Sequence, residues 1–242
     1  MKLIRLIQSL VLGKKFGKVS KYSVLTILLF FSLSVLGQER ESDLGAIFTA
    51  RLNKDLSRFF GVSFEQEVRL LTNNTGFDRT TSDIGIDYTI VKGLKTGVFY
   101  SYMYIYNSDF LYESRHRYYA NLSYKYGVNR KITLAWRTRF QGTYRNENRG
   151  EYKINPKYIL RNKLEAEYNL LGTRWKYYLS AEATNTLNDP LGNEIYKLRF
   201  QGGTSWRWDR TTYLEFYLRA DEYLILPDPR VFSVGVGYKK NF

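Results

Sequence analysis

Few residues in this sequence are suited to catalysis or metal binding. The chain has one histidine, His116, and no cysteine, so one copy cannot supply a multi-histidine or thiolate metal site. Residues two apart share one face of a β-strand, where a glycosidase would need its two carboxyl groups. Two carboxylate pairs have that spacing: Glu65 with Glu67, and Glu165 with Glu167. Cations flank both pairs, so ion pairing is the simpler interpretation.

His116 is the only candidate for a histidine general base. Its position in the alternation places it with Tyr118 and Ala120, on an apolar row that we assign below to lipid. The sequence has no P-loop, nucleophile elbow or metal-binding motif. The stretch Asn188–Glu194 offers oxygen ligands for Ca²⁺, although a turn explains it equally well. We therefore expect no enzymatic activity, cofactor or metal, and keep a His116-dependent hydrolase as an alternative.

Basic residues are the most abundant chemical feature. Lys and Arg number 37 against 23 Asp and Glu, for a formal net charge of +14. Six of these bases lie in the first 37 residues, which contain no acid, so the rest of the chain carries +8. The remaining bases are interspersed with acids and form no basic helix or arm. This distribution argues against nucleic acid as a partner.

The last stretch of the chain shows the pattern that positions these charges. Phe232, Val234, Val236, Tyr238 and Phe242 fall on one parity, and small or polar residues fall on the other. In a β-strand, residues of the same parity have their side chains on the same face of the sheet. The same alternation recurs in ten earlier segments, each near the 9–11 residues that a tilted strand needs to cross a bilayer. These segments are 44–52, 60–70, 83–90, 98–106, 115–126, 131–145, 157–168, 174–184, 196–208 and 214–221.

The connections between these segments alternate in length. Tight turns are expected near 53–55, 92–94, 127–129, 171–173 and 209–210, and longer polar loops near 72–80, 107–113, 146–154, 188–193 and 222–230. Short periplasmic turns and long extracellular loops are typical of outer-membrane barrels. The sequence therefore predicts an all-β, transmembrane, antiparallel up-and-down β-barrel of 10–12 strands. An odd count of eleven would start the mature chain on the outside.

The composition of the two faces decides which one meets lipid. A mean hydropathy of −0.40 suits a membrane barrel, because every second residue faces water. Aromatic rings on the apolar rows suit the membrane interfaces, and we expect this for Trp136, Trp175, Trp206, Trp208 and Phe242. We expect the lumen to be lined by Glu65, Glu67, Arg69, Arg117, Arg137, Arg139, Arg161, Lys163, Glu165, Glu182, Arg199, Glu215 and Arg219. A soluble, lipocalin-like barrel is the alternative, because alternation alone does not say which face is inside.

The first 37 residues have the layout of a signal peptide. A basic region reaches Lys21, an apolar run covers Ser23–Leu36, and Val35 and Gly37 are small residues at positions −3 and −1 of a cleavage site. The alternative is a permanent N-terminal anchor helix, for which the run is short. We expect residues 1–37 to be the signal peptide and residues 38–242 to form the barrel.

Short charged and aromatic motifs give the mature chain a family resemblance. They are Glu65-Gln-Glu67-Val-Arg69, Arg115-His-Arg117, Trp136-Arg-Thr-Arg139, Leu160-Arg-Asn-Lys-Leu164, Lys197-Leu-Arg-Phe200 and Gly235-Val-Gly-Tyr238. With these motifs the chain resembles a family of outer-membrane proteins of similar length and unknown function. The resemblance implies an outer-membrane β-barrel in a Gram-negative cell. It supplies no activity, ligand or catalytic residue.

Two functions fit a lumen with an excess of Arg and Lys. Rings of positive charge favour anions, so the barrel could be a narrow porin-like pore for small anionic solutes such as acidic sugars. Alternatively, the charges could interlock and close the barrel, leaving a structural or partner-binding wall. The expected partners are the outer-membrane lipid bilayer, the barrel-assembly machinery through the C-terminal strand, and small anionic solutes.

Overall fold

The computed structural model describes residues 42–71, 76–106, 112–145, 154–190, 192, 194–224 and 230–242. These residues form eleven β-strands. They are β1 (Ser42–Asp55), β2 (Phe60–Leu71), β3 (Gly76–Val91), β4 (Leu94–Tyr106), β5 (Tyr112–Gly127), β6 (Ile132–Arg145), β7 (Lys157–Asn169), β8 (Trp175–Thr186), β9 (Ile195–Arg207), β10 (Thr212–Tyr223) and β11 (Arg230–Asn241). The described ranges include no helix that is long and apolar enough to cross a membrane. The expected signal peptide lies outside the described residues.

The strands close into one barrel in sequence order, each antiparallel to the next. The ring is completed by β1 and β11, which pair in parallel from Ser42 with Arg230 to Asn53 with Asn241. Parallel closure follows from the odd count, since both strands run in the same direction along the wall. Closure leaves no unpaired strand edge, which a sheet in lipid cannot tolerate. The expectation of a β-barrel with 10–12 strands is confirmed.

The two ends of the barrel carry different connections. At the short-turn end the strands are joined by residues 56–59, 92–93, 128–131, 170–174 and 208–211. At the other end, called here the long-loop end, the joining segments are 72–75, 107–111, 146–156, 187–194 and 224–229. The turn expected at residues 53–55 instead lies at residues 56–59, because Asn53 and Asp55 still pair with β2.

Two expected long loops are shorter than predicted, because β3 and β5 continue into them. The register between β2 and β3 shifts after Arg69, where Leu70 pairs with Phe77. The extra residue brings the odd-numbered Phe77 onto the face of the even-numbered residues of β3, so the alternation is interrupted and the sequence pattern stops early. Strand β5 begins at Tyr112, whose ring stacks on Tyr104 with centroids 4.9 Å apart.

The outer surface of the barrel is apolar. Leu218 is 67% exposed, Phe200 47% and Trp136 39%. Arg219, Arg199 and Arg139 belong to the same three strands and line the interior. A soluble calyx has the reverse arrangement, with apolar residues inside. The orientation predicted from the composition of the two faces is therefore confirmed.

Candidate functional site in the barrel lumen

The interior of the barrel, called the lumen here, holds a cavity of about 950 Å³ to which all eleven strands contribute. Its lining extends from Asn53 and Asn241 at the short-turn end to Arg145 and Lys157 at the long-loop end. Of the described residues on this lining, seventeen are basic and eight are acidic. All of the residues expected to face the lumen lie on this lining: Glu65, Glu67, Arg69, Arg117, Arg137, Arg139, Arg161, Lys163, Glu165, Glu182, Arg199, Glu215 and Arg219.

Sequence reasoning missed part of the lining. The cavity also meets the basic residues Arg51, Lys125 and Lys239, and the rings of Phe99, Tyr119, Tyr178 and Tyr217. The signal that could have found them was parity, because each lies on the polar row of its strand. The rings were overlooked because an aromatic residue by itself suggests a lipid-facing position.

The two carboxylate pairs with glycosidase-like spacing are taken up by ion pairs. Each of the four carboxylates binds a different cation. The pairs are Arg51–Glu65, Arg69–Glu67 at 2.7 Å, Lys163–Glu165 at 2.5 Å and Lys125–Glu167 at 2.7 Å. Each carboxylate is therefore engaged by its own cation, whereas a glycosidase leaves its two carboxyl groups available to the substrate. The arrangement is that of a charge-paired lumen wall.

Glu182 is the centre of a larger network. It is only 4% exposed, and its two oxygens face three arginines from strands β6, β7 and β9. Arg161 binds it through Nε at 3.0 Å and Nη2 at 2.5 Å, and Arg137 through Nη2 at 3.1 Å. Arg199 Nη1 lies 3.9 Å from the same carboxylate. A buried carboxylate needs such compensation, because its desolvation is costly.

Asp221 extends this network toward the long-loop end. Arg199 binds it in a bidentate manner, with Nε at 2.6 Å and Nη2 at 2.8 Å. Lys197 Nζ lies 3.0 Å from the same carboxylate and 3.3 Å from the hydroxyl of Tyr223. Together, the contacts of Glu182 and Asp221 link strands β6 to β10 by charge.

The adjoining part of the wall, formed by β4 to β6, is built differently. Phe99 and Tyr119 stack with their centroids 4.8 Å apart and their planes inclined by 5°. Arg139 lies over the ring of Tyr119, with Cζ 3.9 Å from the ring centroid. This is a cation–π contact. The wall therefore presents a positive charge supported by aromatic rings rather than by a carboxylate.

His116 does not reach the lumen. Its Nδ1 lies 2.7 Å from the hydroxyl of Tyr100, and its ring packs against Tyr100 and Tyr102 on the outer face of β4 and β5. The structure therefore does not bring His116 together with the lumen carboxylates. Within the described ranges, no group of three or more His, Cys, Asp or Glu residues is placed to hold a metal. In the stretch that offers oxygen ligands for Ca²⁺, the Asn188 side chain accepts a hydrogen bond from the Tyr158 amide and donates one to the Pro156 carbonyl.

The tryptophans expected at the membrane interface lie toward the short-turn end. Trp175 and Trp206 have ring centroids 6.0 Å apart, and Trp206 and Trp208 5.7 Å apart. Trp136 lies in the first half of β6, and Phe242 follows β11 and is 67% exposed. The outer surface at the long-loop end instead carries tyrosines, among them Tyr104, Tyr106 and Tyr112.

One short turn is stabilised by a carboxylate. Asp209 accepts hydrogen bonds from the backbone amides of Thr211 and Thr212, both at 2.7 Å, and from their hydroxyls. The hydrogen bond from the Thr211 amide, together with the other three hydrogen bonds, holds the pKa of Asp209 well below its usual value. The turn between β9 and β10 is thus fixed by its own side chains.

Comparison with known proteins places the sequence in a family. A family model described as a protein of unknown function (DUF2490) matches residues 45–221, which run from β1 into β10. The chain belongs to the DUF2490 family. This confirms the resemblance to a family of unknown function. The sequence matches no curated protein.

Solved structures show similarity to the fold of this DUF2490 protein. A bacterial polysaccharide outer membrane secretin has a TM-score of 0.51 and 12% identity, over 74% of this chain and 63% of the secretin chain. The chain thus spans less than two thirds of that protein. A KdgM porin (TM-score 0.42, 11% identity, 74% of this chain and 91% of the porin) and the β-domain of the Bordetella autotransporter BrkA (0.40, 12%, 76% and 82%) are also similar. At 12% identity, the likeness to the secretin concerns the barrel fold alone.

Proposed function

We propose that this protein is an outer-membrane barrel that passes small anionic solutes through its lumen. The observation that carries the proposal is the cavity of about 950 Å³, whose lining extends to both ends of the barrel and is strongly basic. Positive charges along a narrow path lower the energy of an anion relative to a cation. The solutes would be small acidic molecules, such as acidic sugars or other organic anions.

The outer surface supports insertion into a lipid bilayer. Large apolar side chains such as Leu164, Leu179 and Val98 are more than 60% exposed, and contacts with acyl chains would remove them from water. The Trp-rich short-turn end and the Tyr-rich long-loop end correspond to the two aromatic girdles of such barrels. We assign the short-turn end to the periplasm and the long-loop end to the cell exterior.

Export and assembly complete the proposal. Residues 1–37 would be removed as a signal peptide after Gly37, and residues 38–242 would fold as the barrel. The closing strand β11, followed by the terminal Phe242, would be the segment that the barrel-assembly machinery engages. N-terminal sequencing of protein from outer membranes tests the cleavage site, and a mature N-terminus other than Gln38 would contradict it.

Planar-bilayer recording tests the pore directly. With a KCl gradient across the membrane, we expect a reversal potential that shows chloride to be more permeant than potassium. The preference should increase at low salt, where the lumen charges are less screened. Arg117→Gln combined with Arg139→Gln should bring the two permeabilities closer together, because two positive charges leave the lining. Unheated and boiled samples on a gel show whether each variant is a folded barrel.

An absence of conductance at every voltage would reject the pore and favour the closed barrel. The network of Glu182 and Asp221, which links β6 to β10, is the observation that favours that second candidate. A hydrolase is not proposed, since His116 is on the outer face and the paired carboxylates bind cations.

A further inference from the structure

Three arginines of the lumen are held by neutral oxygens rather than by carboxylates. Arg139 Nε donates to Asn121 Oδ1 at 2.8 Å, Arg117 Nε to Thr143 Oγ1 at 3.2 Å, and Arg219 Nε to Gln201 Oε1 at 3.2 Å. Each acceptor is on the adjacent strand. We call Arg117, Arg139 and Arg219 the neutral-anchored arginines. In each of them the bond through Nε orients the guanidinium and leaves its Nη edge for another acceptor.

Other lumen arginines differ in this respect. Arg115 places both Nε and Nη2 on Glu113, at 2.8 and 2.9 Å. Arg161 and Arg199 likewise bind Glu182 and Asp221 through two nitrogens each. Their charge and their hydrogen-bonding capacity are both used within the wall. The neutral-anchored arginines are therefore the ones best prepared to bind an anion.

A guanidinium N–H group that is buried without an acceptor is energetically unfavourable. Arg219 is 9% exposed, and its Nη1 atom is buried without a hydrogen-bond partner. A buried charged donor without an acceptor is strongly unfavourable, so an incoming oxyanion would restore what is missing. A buried donor without an acceptor is a property of a binding site rather than of a structural ion pair.

The three residues line the same cavity. Arg117 and Arg139 come from the paired strands β5 and β6, and Arg219 comes from β10. Two carboxylates on the same lining already have partners: Asp83 accepts a hydrogen bond from Ser101, and Glu67 is bound by Arg69. Positive charge remains in excess, so an anion would be attracted to this part of the lumen.

Aromatic rings beside the guanidinium groups add apolar surface. The ring of Tyr119 lies against Arg139, and the ring centroid of Tyr217 lies 5.2 Å from Arg219 Cζ. Phe99, Tyr119 and Tyr217 all face the cavity. A few fixed polar groups among ring faces are typical of sites for organic ligands, because the rings contact the carbon skeleton.

We propose that the neutral-anchored arginines form a binding site for the carboxylate group of a small organic anion within the lumen. The planar Nη edge of each guanidinium matches the two oxygens of a carboxylate. The proposal rests on the proposed function only in that solutes must be able to enter the lumen. It deepens that function by naming the residues that bind the solute and the group that they bind.

Isothermal titration of the detergent-solubilised protein with glucuronate tests this site, and it does not require a conducting pore. We expect glucuronate to bind, glucose not to bind, and inorganic phosphate to bind more weakly than glucuronate. Replacing Arg139 or Arg219 by Gln should weaken glucuronate binding roughly tenfold each, since each loses a charge-assisted contact. Arg115→Gln is the matched control, because it removes the same charge from the lumen but from an arginine occupied by Glu113. It should change binding much less.

The outcomes separate this proposal from the pore itself. No glucuronate binding, tighter binding of phosphate, or equal losses in Arg115→Gln and Arg139→Gln would each overturn the carboxylate site, even if the barrel conducts chloride. Glucuronate binding that depends on Arg139 and Arg219, in a protein without conductance, would support the site and reject the pore. Gel mobility of unheated samples shows that each variant has folded.

Discussion

Tyr217 lies against the lumen wall at a point where β11 has no side chain. A Cβ atom built on Gly235 would be 2.0 Å from the Cζ atom of the Tyr217 ring, far inside van der Waals contact. Tyr217 is only 7% exposed and contacts Arg219 through its ring. Gly235 therefore determines where one of the aromatic rings of the proposed carboxylate site lies.

Substituting Gly235 tests this dependence. Gly235→Ala should force the Tyr217 ring to move and lower the free energy of unfolding by about 1–3 kcal/mol, the usual cost of overpacking. Urea unfolding followed by tryptophan fluorescence measures the change. Gly127→Ala is the control, since a Cβ there meets no atom within 4 Å. Equal effects of the two substitutions would show that the contact with Tyr217 does not constrain the ring.

Parallel closure between β1 and β11 is the least expected element of the barrel. Because β1 runs in the same direction as β11, the chain enters β1 from the long-loop end. An even-stranded barrel would instead have both of its termini at the short-turn end. The direction of β1 therefore predicts that Ser42, its first residue, lies on the side of the membrane that the long-loop end faces.

Epitope insertion tests that direction. A tag inserted directly before Ser42 should be labelled by antibody in intact cells, as should a tag at Asp189, which lies between β8 and β9 at the long-loop end. A tag at Gly172, in the turn between β7 and β8, should be labelled only after the outer membrane is permeabilised. If the tag before Ser42 instead behaves like the tag at Gly172, then β1 does not close the barrel in parallel.

Strand faces could be predicted from the sequence, whereas strand partners could not. Parity places Leu218 and Arg219 on opposite faces whatever the register, because it depends only on local geometry. The bulge after Arg69, by contrast, interrupts the local pattern, so the sequence does not predict where β3 begins. Cross-strand contacts depend on register, so the neutral anchor of Arg139 on Asn121 and the carboxylate anchor of Arg161 on Glu182 could not be distinguished in advance.

Across the whole molecule, charged and polar side chains are buried and large apolar side chains are exposed, which is the reverse of a soluble protein. Buried side chains include Glu182, Asp221, Arg219 and Gln141, and large apolar side chains cover the outside. In water such a surface would favour aggregation, since exposed apolar area on this scale is rare in soluble monomers. In a bilayer it is the stable arrangement, because the strands satisfy their backbone groups within the closed ring.

A charge placed on the outer wall distinguishes the two environments. Leu218 lies near the middle of β10 and is 67% exposed, so Leu218→Arg would put a guanidinium at mid-membrane depth. The free energy of unfolding from lipid vesicles should fall by about 2–4 kcal/mol, whereas Leu171→Arg, in a short turn at the interface, should cost about 0–1 kcal/mol. If the outer wall faced water, both changes would stay within about 0.5 kcal/mol, as surface substitutions do. Equal effects in guanidinium titrations would therefore show that this face of the barrel does not contact lipid.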